Sequence, residues 1–336
     1  MRLFSKYFLI LFLGISLQSC SQNKSQIMQN PNITSDNIIE EITKEVKHFP
    51  SEKIYKIRHE NEYCYYEIYI NDIPVFRNFN NNVPDAFNIN NSIFKNGTQK
   101  ITYKMFPVGN SKELEVNYNT LVDETKFKLI LKSYDLKNKG VKDIFYVEYK
   151  APQIETKVTP DYSTYKFVGS GKTYYEGSFN VNVDVPYELH SPFENAQDLQ
   201  KMDKKELEAK VVKEYQKIRQ IYLNKEEDNI AKLTYDRLKD DLVADYAKAE
   251  KVKATWNQLD EIIIKGDVDI LPIEKYKMQF FANGKLVALI TDGSDPETRG
   301  GNTLVCKVKS GEFQGSIFEI KHFLYIPQGE TEFKVY

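Results

Sequence analysis

The chain contains 336 residues, which is long enough for two domains with sizeable cores. Its 48 acidic and 46 basic residues give a formal net charge of -2, so no basic excess indicates nucleic acid as a partner. Aromatic residues make up 13% of the chain, mostly Tyr and Phe, and this composition favours β-rich structure.

The N-terminus has the layout of an export signal. Arg2 and Lys6 supply a positive region, and residues 7–15 form an apolar run. That run is shorter than the roughly 20 apolar residues that span a bilayer, so it predicts a cleaved signal peptide over residues 1–19. An ordinary signal peptide followed by an incidental cysteine is the alternative.

Residues 17–20 read Leu-Gln-Ser-Cys and resemble the lipobox of bacterial lipoproteins, although Gln18 replaces the small residue usual at its position. The resemblance implies cleavage before Cys20 and acylation of the new amino terminus, so that the protein contacts the membrane through an N-terminal lipid. Each buried methylene of such a lipid contributes about 0.8 kcal/mol, and several acyl chains together hold a protein firmly.

The residues after Cys20 are polar and poor in aromatic side chains. Residues 20–36 are therefore predicted to form a lipidated, flexible tether. Ser21 follows the cysteine where aspartate would direct many lipoproteins to the inner membrane, so lipoprotein sorting favours the outer membrane. We expect an outer-membrane lipoprotein that faces the periplasm, with the cell surface as the alternative.

Residues 37–192 have the patterns of a β-sandwich domain that begins with a short helix. The helix is predicted by apolar residues at helical spacing, namely Ile38, Ile39, Ile42 and Val46. Alternating runs that predict strands follow at residues 63–70, 73–79, 100–108, 126–134, 143–150 and 173–185. Asn71-Asp72 predicts a hairpin turn between the first two. Short strands without helical runs between them predict an antiparallel, immunoglobulin-like sandwich.

Residues 193–336 follow a different pattern. Apolar stripes over residues 198–222 and 225–253 predict two or three antiparallel helices. Strand patterns return at residues 275–282 and 285–291 around Asn283-Gly284, and again at 303–309, 316–324 and 332–336. This part is predicted to form a helical hairpin packed on a C-terminal antiparallel sheet, so the whole chain is mainly β plus α+β.

The sequence contains no motif for catalysis or for metal binding. The histidines, His48, His59, His190 and His322, lack the spacing of a helical metal site, and no serine stands in a nucleophile motif. Residues 292–297 are the best candidate for a calcium loop, but they lack the acidic ladder of an EF-hand, and a solvated loop is the better interpretation. We therefore predict no catalytic residue, no metal, no cofactor and no enzymatic activity.

Other polar and thiol groups receive structural interpretations. Adjacent carboxylates such as Asp240-Asp241 are expected to be solvated surface charge. Cys64 and Cys306 lie in strand-like runs and are predicted to be two buried free thiols, with a disulfide between them as the alternative.

The candidate binding residues lie on one predicted strand face. Tyr63, Tyr65 and Tyr69 share that face, and Phe76 falls beside them if the Asn71-Asp72 hairpin has a two-residue loop. The opposite face is also apolar, whereas a sandwich strand normally exposes one face. Either the tyrosines pack under another segment, such as the early helix, or they form an exposed aromatic platform for a partner or a sugar ring.

Three segments in the same order resemble lipoprotein immunity proteins of type VI secretion lipase effectors. They are residues 69–76, residues 87–90 with Gly97, and residues 280–287. The resemblance implies a protein that covers the site of its effector through surface complementarity and carries no catalytic residues. We expect binding of a protein partner in the periplasm; a glycan-binding lipoprotein of the cell envelope is the alternative.

Overall fold

The computed structural model describes residues 27–79, 86–138, 140 and 145–336. Within this part of the chain, the fold is a β-rich α+β arrangement of antiparallel sheets and four α-helices. None of the helices in the described ranges is long and apolar enough to cross a membrane. The predicted signal peptide, Cys20 and the first residues of the predicted tether lie outside the described residues.

The strands before the long helices occupy the middle of the chain. They are β1 (Lys53–Glu62), β2 (Cys64–Ile70), β3 (Ile73–Asn78), β4 (Phe87–Asn88), β5 (Gly97–Pro107), β6 (Gly109–Ser111), β7 (Val116–Tyr118), β8 (Lys126–Asp135), β9 (Tyr146–Lys150), β10 (Gln153–Thr159), β11 (Tyr162–Phe167) and β12 (Tyr175–Val183). Two four-stranded antiparallel sheets result, with strand orders β4-β1-β8-β9 and β12-β5-β2-β3. The pairs β6-β7 and β10-β11 form separate two-stranded sheets.

The two four-stranded sheets contribute to one hydrophobic cluster, called here the sheet core. Alternate side chains of β5 and β8 are buried in it, among them Ile101, Tyr103, Leu129 and Leu131. Because successive side chains of a strand point to opposite faces, one buried face per strand produces the period of two in the sequence.

Four helices pack mainly in a second, larger cluster, called here the helical core. They are α1 (Ile38–Glu45), α2 (Lys204–Leu223), α3 (Glu227–Ala244) and α4 (Ala249–Leu259). The stripe that predicted α2 is buried there through Leu207, Val211 and Tyr215. The helix starts six residues later than the apolar pattern because the carboxylate of Asp203 accepts the backbone N–H of Glu206, 2.9 Å away, and caps it.

The C-terminal strands divide between two antiparallel sheets instead of forming one. The strands are β13 (Val268–Ile270), β14 (Tyr276–Phe281), β15 (Leu286–Thr291), β16 (Val305–Val308), β17 (Ile317–Glu319), β18 (Leu324–Tyr325) and β19 (Lys334–Val335). Their orders are β14-β15-β18-β19 and β13-β16-β17. After β15 the chain leaves the first of these sheets, and β16 pairs with β13 and β17 in the second. An isolated bridge joins Ile290 of β15 to Asn302, which precedes β16.

The β14–β15 hairpin is present, but its connection has four residues instead of two. Phe281 pairs with Leu286, and Ala282 and Asn283 both have positive φ, at 50° and 55°. The turn is held from outside, since Asp72 accepts the N–H of Ala282 with its carbonyl and that of Asn283 with its carboxylate. These distant contacts, which no local pattern contains, favour the longer turn over a type I′ turn.

Residues 27–36, which the sequence assigned to the tether, pack against the helices. Ile27 and Ile33 are buried in the helical core together with Ile38 and Ile42 of α1. The buried side chain of Gln29 acts as a partner for the last strand: its Oε1 accepts the N–H of Val335 at 2.8 Å and its Nε2 donates to the carbonyl of the same residue at 3.1 Å. The body of the protein therefore begins no later than residue 27.

Replacing Gln29 by Leu is expected to destabilise the protein. Leucine nearly preserves the volume but leaves the N–H and carbonyl of Val335 without their partners, and such buried losses cost about 1–3 kcal/mol. Urea unfolding measures the change in the free energy of unfolding. Met28→Leu is the matched control, because Met28 is 70% exposed; equal midpoints for the two variants would show that the segment is not anchored through Gln29.

Candidate functional site

Tyr69 of the predicted tyrosine face is buried, with 3% of its surface exposed. Its ring lies 6.4 Å from that of Phe281 on β14, and its hydroxyl donates to the Glu67 carboxylate at 2.6 Å. The ammonium group of Lys104 lies 4.2 Å from the centroid of the ring. The C-terminal sheet therefore covers this end of the face; the early helix, the covering segment that the sequence suggested, packs against α3 and α4.

Tyr63 and Tyr65 are half-buried at the other end of the same face. Tyr63, with φ of 54°, links β1 to β2 and meets Tyr118 edge-on at 5.6 Å. Tyr65 pairs with Phe106 on β5, and the ring of Phe106 lies 5.6 Å from that of Tyr174, just before β12. Tyr65, Phe106 and Tyr174 are called here the aromatic row.

Phe76 lies on the opposite face from the tyrosines, which differs from the expected register. The Asn71-Asp72 loop does have two residues, both with positive φ, and Ile70 pairs with Ile73. An irregularity between Ile68 and Tyr69 then shifts the register, so that Ile68 faces Phe76. One extra residue in a strand reverses every later side chain.

The new neighbours of Phe76 belong to the sheet core. Its ring stacks on that of Phe87 at 4.6 Å and lies 4.7 Å from the ring of His59. The four predicted binding residues are therefore divided between two faces of the sheet and do not form one platform.

Four well-exposed apolar side chains of the β-rich part lie together on the hairpin β10–β11, called here the ribbon. Every residue of Gln153–Thr159 is exposed, and Ile154, Val158, Tyr162 and Tyr165 are 53% to 59% exposed. In the described chain the ribbon pairs with no other strand. Isolated hairpins are marginally stable in water, and exposed apolar patches mark interaction surfaces.

The base of the ribbon is fixed to the sheet core. Phe167 is fully buried, and its N–H donates to the carbonyl of Asp123 at 2.9 Å, while the N–H of Ala151 donates to that of Phe127 at 2.8 Å. The sequence patterns predicted no strands here. The alternation of Ile154 and Val158 with polar residues before Pro160-Asp161 is the signal that could have found the ribbon.

A cleft of about 420 Å³ lies between the β2–β3 hairpin and the loop 292–302. Its lining combines aromatic rings with charged groups, namely Tyr69, Phe76, Phe79, Phe323, Glu67, Arg77, Glu319 and Lys321. Small-molecule sites commonly combine an apolar wall with a few polar groups in this way.

An ion pair forms one side of the cleft. Arg77 Nη1 lies 2.6 Å from Glu319 Oε2, and the two side chains are 24% and 16% exposed. The second oxygen of Glu319 accepts the N–H of Asn302, also at 2.6 Å. Burial alone would raise the pKa of Glu319, but the positive charges of Arg77 and Lys321, with the Asn302 amide, hold this pKa below its usual range.

Two glycines let the loop 292–302 approach the hairpin. Gly300 has φ of +74°, and a Cβ there would lie 2.8 Å from Glu67 Oε1; a Cβ on Gly301 would collide with the guanidinium group of Arg77. The positive φ favours glycine at position 300, whereas at position 301 a side chain would displace the Arg77 guanidinium group. Among the described residues, no group of His, Cys, Asp and Glu side chains could hold a metal ion, and this applies to the former calcium candidate within the loop.

Behind the cleft lies a buried polar network. Asn302 Nδ2 donates to the Tyr215 hydroxyl at 3.0 Å and to the carbonyl of His322 at 2.6 Å, and His322 Nε2 lies 2.9 Å from the hydroxyl of Tyr222. Burial lowers the pKa of His322 to about 3, so this imidazole is neutral at physiological pH. Because its hydrogen bonds join other buried groups of the fold, we assign His322 a structural role.

Asp240 is buried, contrary to the expectation of solvated charge. It is 1% exposed, and its Oδ2 accepts the hydroxyls of Ser191 at 3.1 Å and of Tyr336 at 2.9 Å. Lys239 Nζ lies 3.2 Å from the other oxygen. Two hydroxyl donors and a cation thus offset the free-energy cost of burying this carboxylate. The sequence around Asp240-Asp241 does not indicate that burial.

Both described cysteines are buried and free. Burial raises the pKa of both thiols, for Cys306 to about 11. Because the thiolate is the nucleophile, these environments suit structural side chains.

Comparison with protein-family models, with curated proteins and with solved structures finds no match for this chain.

The ion pair beside the cleft is expected to contribute to stability. Arg77→Met leaves Glu319 without its charge partner in a mostly buried place, so the free energy of unfolding should fall by about 2 kcal/mol. The double variant Arg77→Met/Glu319→Gln should recover most of that loss in chemical denaturation.

Lys277→Met is the control for this cycle, because Lys277 lies 3.6 Å from Asp292 in a well-exposed pair. Exposed pairs contribute about 0–1 kcal/mol. Equal losses for Arg77→Met and Lys277→Met, or no recovery in the double variant, would contradict a stabilising pair at the cleft.

Proposed function

We propose that this chain is a membrane-anchored lipoprotein of the outer membrane that faces the periplasm and binds a protein partner. Its most specific form is an immunity protein that neutralises a secreted lipase-type effector by covering the effector's site. Such a role depends on surface complementarity and on no chemistry of its own. The lipobox-like residues 17–20 support the anchor, and the ribbon supports the interaction.

The ribbon is the single observation that carries the partner proposal. It presents two tyrosines and two aliphatic side chains to solvent on a hairpin whose base is fixed. Aromatic side chains supply much of the energy of protein interfaces, and a fixed base reduces the entropy lost on binding. Free strand edges on either side of the ribbon offer backbone groups to a partner as well.

The proposed anchor would hold the folded body close to the membrane. Six residues, 21–26, separate Cys20 from Ile27, which is buried in the helical core. Because an extended chain spans at most about 3.6 Å per residue, residue 27 would lie within roughly 25 Å of the lipidated cysteine. The same limit on distance applies if the protein is anchored at the cell surface, the alternative location.

Cys20→Ser is expected to release the protein from the membrane fraction and to abolish metabolic labelling with palmitate, since the acyl chains provide the attachment. Fractionation and labelling of wild type and variant measure this directly. Cys64→Ser serves as the matched control, because Cys64 is buried in the folded body. Unchanged membrane attachment of Cys20→Ser would disprove the lipoprotein proposal.

The ribbon is tested with the detergent-solubilised protein and the lipase-type effectors encoded in the same genome. We expect a stoichiometric complex and inhibition of phospholipid hydrolysis. Ile154→Ser/Tyr165→Ser should weaken binding by about 30-fold, which corresponds to about 2 kcal/mol for a central interface pair. Folding should be preserved because both side chains are exposed.

Tyr134→Ser is the control, since Tyr134 is 42% exposed on β8. Equal inhibition by the ribbon variant and the control would exclude the ribbon as the interface. Absence of a complex with every effector would count against the immunity role.

The aromatic row favours glycan binding as a second candidate function. Tyr65 and Phe106 pair on neighbouring strands, and the ring of Tyr174, just before β12, lies 5.6 Å from that of Phe106; sugars stack on such aromatic surfaces. Glycan arrays distinguish the two functions: Tyr174→Ser should abolish a glycan signal and leave effector binding unchanged.

We further propose that the sheets β4-β1-β8-β9 and β12-β5-β2-β3 form an immunoglobulin-like sandwich. We also propose that the helices pack on a C-terminal sheet. The first is supported by ring contacts between the sheets, such as Tyr66 with Phe127 at 4.7 Å. The second is supported by the hydroxyl of Tyr215 on α2, which donates to the carbonyl of His322 at 2.6 Å. The division into domains 37–192 and 193–336 stays a prediction.

A further inference from the structure

The cleft beside β3 contains two charged side chains, Lys321 and Glu67, that form no direct ion pair with another described residue. Arg77 and Glu319 satisfy each other, and Asn302 occupies the remaining oxygen of Glu319. Lys321 and Glu67 line the same cleft, and among the described residues neither takes part in an ion pair. Lys321 lies close enough to Glu319 for the two charges to attract each other, but its ammonium group forms no ion pair within 4 Å among the described residues, so it can still pair with a ligand.

The two groups have different settings. Lys321 is exposed to solvent at the cleft, so its ammonium group can move toward a ligand. Glu67 is half-buried; its Oε2 accepts the Tyr69 hydroxyl at 2.6 Å, and Gly300 lies against its Oε1. The carboxylate is thus held in one orientation, whereas the lysine is adaptable.

Part of the remaining lining is apolar. Phe79 and Phe323 contribute aromatic surface, Val75 and Ile290 aliphatic surface, and the volume of about 420 Å³ falls within the usual range for small-molecule sites. A ligand with a cationic end, an anionic end and an apolar side chain would match the cation, the anion and the rings together. Free α-amino acids have these three features within a few bonds.

We propose that this cleft binds a small zwitterion of the α-amino acid class with an apolar side chain. Glu67 accepts hydrogen bonds from its ammonium group, Lys321 pairs with its carboxylate, and Phe79 and Phe323 contact its side chain. Apart from the solvent-exposed Glu297, Glu67 and Lys321 are the charged residues of the described cleft lining that have no opposite charge within 4 Å, and the ligand would supply one to each. The site is separate from the ribbon and does not depend on the proposed function.

Calorimetry on the full protein tests the proposal with three probes. L-Phenylalanine carries both charges, N-acetyl-L-phenylalanine lacks the ammonium group, and L-phenylalaninamide lacks the carboxylate. We expect L-phenylalanine to bind at least 10-fold more tightly than either analogue, because a hydrogen bond to a charged group contributes about 1.5–3 kcal/mol.

Two variants assign the ends of the ligand. Lys321→Gln should weaken L-phenylalanine by about 10-fold or more and leave the affinity for the amide unchanged; Glu67→Gln should weaken L-phenylalanine and leave the N-acetyl analogue unchanged. Lys307→Gln, an exposed lysine on β16 outside the cleft, should have no effect. Melting temperatures of all variants verify that they are folded.

Three results would overturn the proposal. The first is absence of heat with all three probes at about 10 mM, which corresponds to less than about 3 kcal/mol of binding. The second is equal affinity for L-phenylalanine and its N-acetyl analogue. The third is equal weakening of all three probes by Lys321→Gln. The second result would indicate a site for simple carboxylates, and the third would indicate that Lys321 acts only through the shape of the cleft.

Discussion

The β2–β3 hairpin is the element on which both halves of the described chain depend. Tyr66 and Ile68 belong to the sheet core, whereas Tyr69 and Ile73 are buried in the helical core. The contact is reciprocal, because Tyr246, just after α3, is buried in the sheet core. A central strand that is apolar on both faces is therefore the consequence of serving two cores, and the stability of either half includes its contacts with the other.

The sequence predicted those features that depend on neighbouring residues. The period of two located β5 and β8, the apolar stripe located α2, and Asn71-Asp72 located a two-residue turn. Features that depend on distant contacts were not predictable in this way. The register irregularity after Ile68 relocates Phe76, and the contacts of Asp72 lengthen the turn at Asn283; neither leaves a local pattern.

The adjacent carboxylates of α3, the buried Asp240 and the half-buried Asp241, illustrate the same limit for electrostatics. Burial is the main cause that raises the pKa of Asp241 to about 6, against the attraction of Arg237. Because this pKa lies above that of the unfolded chain, the folded state binds the proton more tightly, and ionisation of Asp241 opposes folding as the pH rises through 6. Adjacent acidic residues in a helical pattern look like surface charge, yet here the C-terminal residue Tyr336 and Ser191 cover Asp240.

Phe79 connects two of the candidate surfaces physically. Its ring lines the cleft, lies 6.0 Å from the ring of Tyr65 in the aromatic row, and stacks under the guanidinium group of Arg299 at 4.4 Å. Arg299 belongs to the loop whose glycines contact Glu67 and Arg77. A ligand that displaces Phe79 would therefore move the loop and the aromatic row together, since close-packed side chains transmit small shifts to their neighbours. The ribbon, which is held at its base by Phe167, lies outside this set of contacts, so the proposed partner and the proposed cleft ligand would bind at separate places.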